Sequence, residues 1–146
     1  MSSWVSHWDQ AQHNKALASQ LISCHPITFR DWAIIVAFYS ALHFVEAFLA
    51  FTEGRHCSRE YRREGYKSLH EYRKDVVAAE FPANIASSYE KLYRLSVMFR
   101  YLEFQGHQAP GPNAGWIGDP EVVRLVNTDL ASIEKKVAAE IRPHAN

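Results

Sequence analysis

Trp32-Ala-Ile-Ile-Val-Ala-Phe-Tyr-Ser-Ala-Leu-His-Phe-Val-Glu-Ala-Phe-Leu-Ala-Phe51 is almost unbroken apolar sequence. Its length is close to the roughly 20 residues that cross a bilayer. Ser40, His43 and Glu46 interrupt it, and a glutamate is costly at a bilayer centre. No second run of this kind follows. The stretch therefore reads as a helix buried on several sides by neighbouring helices, and neither a membrane span nor a membrane partner is expected.

The flanks supply the stops. Upstream, His25-Pro26 ends a helix expected from about Ser3 to Ser23, because a residue before proline avoids the α region. Trp4, Trp8, Ala11, Ala18 and Ile22 recur there at helical spacing. The central helix is expected from about Thr28 to Phe51 or Thr52, with Gly54 as its C-terminal stop. Glu53 to Lys67 is a charged connection, partly disordered or helical, carrying Arg55, Arg59, Arg62, Arg63 and Lys67 against Glu53, Glu60 and Glu64, and it is the one clearly basic stretch. A third helix is predicted from Ser68 to Ala79, ended by Phe81-Pro82. A fourth is predicted from Ala83 or Asn84 to about Phe104, with Ile85, Leu92, Leu95, Phe99 and Leu102 on its core face. Gly106 to Asp119 is rich in glycine and proline and reads as a loop. Asp119 as N-cap and Pro120 at the first helical position then open a last helix. Its seam is Val122, Val126, Leu130, Ile133, Val137 and Ile141. The pattern predicts one all-α domain over residues 1–146, an antiparallel four- to five-helix bundle.

Composition agrees. The chain has 146 residues, 47% hydrophobic and 13% aromatic, enough for a core without disulfides or metal. Lys plus Arg and Asp plus Glu are both 16, so a general polyanion binder is disfavoured while a local basic site is not. Cys24 and Cys57 are too few for a disulfide framework, and Met1-Ser-Ser-Trp-Val does not open a cleavable signal. A cytoplasmic protein with free thiols is expected.

Three stripes carry the candidate chemistry. Tyr39, His43 and Glu46 share one face of the central helix. They form either an internal hydrogen-bond network or the lining of a cleft. Tyr89, Tyr93, Ser96 and Arg100 follow one another along the fourth helix. There, aromatic rings interleaved with an arginine suit base stacking and phosphate binding. The bland alternative is tyrosines that flank the core while Arg100 pairs with a carboxylate. His70 and Arg73 lie one turn apart with Lys67 and Lys74 nearby, as either a site or a solvated basic face. No His-Glu-x-x-His pair or Cys/His cluster with ligand spacing is present, so no metal or other cofactor is expected. Walker, dinucleotide and nucleophile-elbow motifs are also missing. Arg100 and His107 form a last candidate pair: a histidine for proton transfer beside an arginine for phosphate charge would cleave RNA without metal.

Together these residues resemble the HEPN superfamily. The match runs through Asp31-Trp32-Ala33 and Ala37-Phe38-Tyr39-Ser40-Ala41-Leu42-His43-Phe44-Val45-Glu46-Ala47, preceded by His13-Asn14-Lys15-Ala16. It continues with His70-x-x-Arg73 and Tyr89-x-x-Leu92-x-x-x-Ser96-x-x-x-Arg100-Tyr101. Order and spacing carry it, from about Ala11 to Tyr101. The resemblance implies a four- or five-helix bundle that forms a homodimer, with a site near the dimer seam. It implies metal-independent ribonuclease activity of the toxin or phage-defence kind, with catalytic Arg100 and His107. Other members serve as RNA- or nucleotide-binding partners, some beside a nucleotidyltransferase. Arg100-Tyr101 is closer to the branch without a clear nuclease motif. In that branch His70, Arg73, Tyr89 and Arg100 would make the site, with Tyr93, Ser96, Tyr39 and His43 as further binding candidates. A non-catalytic dimeric adaptor, working with a protein partner, is the alternative function.

Overall fold

Ser3 opens the first helix by accepting the Ser6 backbone N–H on its Oγ at 3.2 Å, the usual device for satisfying a helix's first donors. The computed structural model describes residues 3–100 and 117–141 in full, and residues 103–104 and 107–108 as backbone. Helix α1 is Trp4–Leu21, α2 Arg30–Glu53, α3 Cys57–Glu60, α4 Leu69–Glu80 and α5 Ala83–Arg100. Glu103–Phe104 and His107–Gln108 pair antiparallel over two residues. The last rod comprises α6 Asp119–Arg124, a π-helical segment Leu125–Leu130, and α7 Ala131–Ile141.

Helix α2 is the axis of an all-helical bundle, touching α1, α5, α6, the π segment and α7. It is the one described helix long and apolar enough to cross a membrane, and 67% of its most apolar stretch is buried inside the bundle. Gly54 ends it in the left-handed conformation (φ 62°), where a side chain would be strained. Helix α1 lies antiparallel against it. Trp4 meets Phe51 edge-on at 5.4 Å, and Trp8 meets Phe44 at 5.2 Å. Further along, the Ser40 hydroxyl donates to the Ala11 carbonyl at 2.8 Å. Ala11 and Ala18 are fully buried, so small side chains permit this close approach.

Two boundaries and one internal segment differ from the sequence expectation. Helix α5 is described as far as Arg100, and Glu103–Phe104 pair as a strand where a helix was expected. Gly118, not Asp119, is the N-cap of α6. The Asp119 carboxylate instead accepts the Ile27 N–H at 2.9 Å and Arg30 Nε at 2.6 Å, tying the α1–α2 connection to α6. These two bonds hold its pKa below the ordinary aspartate value. The π segment was also not anticipated. It carries Val126 and Leu130, which continue the buried seam from Val122 on α6 to Ile133, Val137 and Ile141 on α7.

The charged connection after α2 is largely structural. Arg55 Nη1 reaches Glu53 at 2.8 Å and Glu80 at 3.3 Å, while Nη2 reaches Glu60 at 3.3 Å. The Tyr72 hydroxyl donates to the same Glu60 oxygen at 2.8 Å. This network clamps the end of α2 to α3 and α4.

Candidate functional site

Phe38, fully buried on α2, is the floor of one cluster. The Arg100 guanidinium, on the last residue of α5, lies 5.6 Å from the Phe38 ring and 5.7 Å from the Tyr39 ring. Its Nη1 donates to the Tyr39 hydroxyl at 3.0 Å and its Nε to the Ser96 carbonyl at 3.3 Å. His70, in the first turn of α4, touches the Phe38, Tyr39 and Tyr93 rings at 5.6, 6.4 and 6.0 Å. The Tyr93 hydroxyl donates to Glu71 at 2.7 Å. That bond, with Lys74 behind it, holds the Glu71 carboxyl below its usual range. Burial lowers the His70 pKa to about 4, and the charges of Arg73 and Arg100 reinforce the shift. His70 is therefore a neutral imidazole near neutral pH, between two guanidinium groups.

Arg73 leads from this cluster to a second one. It is 4% exposed, its Nε donates to Glu46 Oε1 at 2.7 Å, and its Nη1 lies 3.4 Å from His70 Nδ1. Glu46 is equally enclosed at 4%. On its far side Glu46 meets a cavity of about 210 Å³, which His7, His43, His56, Arg59 and Arg73 help to line. His7 Nδ1 and His43 Nδ1 are 3.1 Å apart, so one ring must carry a proton there and the other accept it. Burial lowers the pKa of both, that of His43 to about 4. His7, Glu46 and His56 each bring a potential ligand atom, all within 4.8 Å of one another. Cys57 is fully buried. Burial and the nearby Glu46 carboxylate push its thiol up to about 12, which makes it unreactive.

The expected site residues thus separate. Tyr39, His70, Tyr93 and Arg100 converge. His43 belongs to the second cluster, and Arg73 joins the two. Tyr89 and Ser96 lie inside the core: Ser96 Oγ donates to the Tyr93 carbonyl at 2.8 Å, and Tyr89 is 1% exposed. The Tyr89 hydroxyl makes no hydrogen bond of normal geometry and sits beside the Arg73 charge. Neither can meet a ligand on the surface. The backbone of His107 pairs opposite Phe104, but its side chain lies outside the described residues, as does Tyr101. Lys74 is engaged by Glu71 at 3.0 Å and Asp75 at 3.7 Å, so the basic face expected on α4 is partly neutralised.

Sequence reasoning missed Phe38 as the cation-π floor, and His7 and His56 altogether. His7 precedes His43 by 36 positions, and no local spacing signals such a pairing. The available signal was the Tyr39, His43 and Glu46 stripe, which requires polar partners from other elements once buried. No family model, curated protein or solved structure matches this chain.

Proposed function

We propose that this chain is a HEPN-like protein that binds RNA or a nucleotide through phosphate at Arg100, with His70 as the adjoining proton-handling group. One observation carries the reading: Arg100 is stacked over Phe38 and Tyr39 and bonded to the Tyr39 hydroxyl, while His70 contacts the same two rings. An arginine oriented by aromatic faces is a recurrent phosphate receptor, because its planar donor fork matches phosphate oxygens. Tyr39 adds a π-face for a base. With Nδ1 turned to Arg73, the neutral His70 would present its Nε2–H as a donor to a phosphate or leaving oxygen, and Arg100 would offset charge growing on phosphorus. Metal-independent cleavage is the catalytic form of this reading, and His107 is the alternative proton carrier.

The test is incubation of the full chain with end-labelled RNA in EDTA, following both binding and cleavage. Wild type is expected to bind, and Arg100→Ala to bind roughly tenfold or more weakly. Cleavage lost in His70→Ala but not in His107→Ala assigns the proton role to His70, and the reverse pattern assigns it to His107. No RNA or nucleotide binding by wild type at moderate salt rejects the proposal.

A second reading, a non-catalytic dimeric adaptor, is favoured by a separate feature. Leu17, Leu21, Phe29, Trp32 and Val36 line an apolar depression between α1 and the start of α2. Phe29 and Trp32 there are 53% and 54% exposed, an arrangement typical of protein contact surfaces.

A further inference from the structure

We propose that His7, Glu46 and His56 form a mononuclear binding site for a divalent transition metal ion of the zinc class, with His43 orienting His7. This inference goes beyond the phosphate reading and does not rest on it. Three separate segments supply the ligands: α1, α2, and the residue that precedes α3. Their donor atoms gather within 4.8 Å. Around zinc, at nitrogen distances of about 2.0–2.1 Å, tetrahedral donors are roughly 3.4 Å apart. Closing the cluster therefore needs about an ångström of side-chain rotation. His7 and His56 are only partly buried, so their rings have room to turn.

The surroundings fit a metal site. Histidine ligands are typically held by a hydrogen bond on the ring nitrogen that faces away from the metal. The His7–His43 Nδ1 contact at 3.1 Å supplies that bond and leaves His7 Nε2 for the ion. Carboxylate ligands are likewise fixed by a partner. Arg73 holds Glu46 Oε1 at 2.7 Å, and the Cys57 thiol lies against the same carboxylate. Arg73 also weakens cation binding by repulsion. Two imidazoles and one carboxylate still form a donor set that favours zinc over magnesium or calcium, which require oxygen-rich shells. The cavity is large enough for water or a small anion at the remaining coordination positions, with Arg59 at its wall.

Isothermal titration of the EDTA-stripped full chain with zinc chloride tests this. One equivalent is expected to bind, accompanied by a rise in Tm, because the ion would staple three segments. His7→Ala and His56→Ala are each expected to weaken binding roughly tenfold or more. His13→Ala, an exposed α1 histidine outside the cluster, is expected to leave it unchanged. Circular dichroism checks that the variants fold. Zinc-edge X-ray absorption on loaded wild type tests the assignment without any variant, and two imidazoles in the first shell are expected. Sub-stoichiometric binding, full affinity in both alanine variants, or fewer than two imidazoles would overturn the site. Because the RNA assay runs in EDTA, failure of one proposal is distinct from failure of the other.

Discussion

Arg73 and Glu46 form a buried ion pair, each side chain 5% exposed. Such a pair adds little net stability over apolar residues of similar volume, yet removing one partner leaves an uncompensated charge in the core. Glu46→Leu alone is therefore expected to cost about 3–5 kcal/mol. Glu46→Leu combined with Arg73→Met should recover much of that loss. Urea unfolding of the two single variants and the double variant measures the coupling, and additive losses would contradict it. His70 makes a pH-dependent prediction. Its folded pKa of about 4 lies below the ordinary histidine value of 6.5, so between these values the unfolded chain binds more protons. Its contribution is fully present above about pH 6.5 and is lost as pH falls toward 4. Partial exposure screens the effect to on the order of 1 kcal/mol between pH 7 and 5. Tm measured across that range should fall for wild type and fall less steeply for His70→Gln. A residual slope should persist, because His43 and His7 are depressed as well.

At the scale of elements, legibility followed locality. The Gly54 stop of α2 and the Phe81-Pro82 break after α4 depend on a few neighbouring residues, and each was readable from its own neighbourhood. Asp119 shows the limit. A side chain suited to capping is spent on Ile27 and Arg30, about 90 positions upstream, and the cap shifts to Gly118. The basic stretch after α2 behaves likewise. Its composition suggested a patch of positive charge, but Glu80, brought in from the end of α4, joins Glu53 and Glu60 in neutralising Arg55. The π segment has no such local signal, since the four-residue spacing of its buried residues recurs on the regular helix α7.

At the scale of the molecule, the apolar depression of Leu17, Leu21, Phe29, Trp32 and Val36 bears on assembly. If a second copy covers it, light scattering coupled to size exclusion should give a dimer for wild type and a monomer for Trp32→Glu. Unchanged mass between the two would remove this face as the dimer surface. The molecule also decides the candidate sites. Tyr39, His43 and Glu46 follow one another along α2 but reach different partners: Arg100 from α5, His7 from α1 and Arg73 from α4. The two readings of that stripe, network and cleft, both describe it. The sequence by itself determined the helices and their central axis, because apolar periodicity, caps and breakers act within a few residues of one another. Only the tertiary structure decided which polar groups meet, because Arg100 over Phe38, Arg73 on Glu46 and the His7, Glu46 and His56 cluster each join segments whose proximity exists only once the bundle has packed.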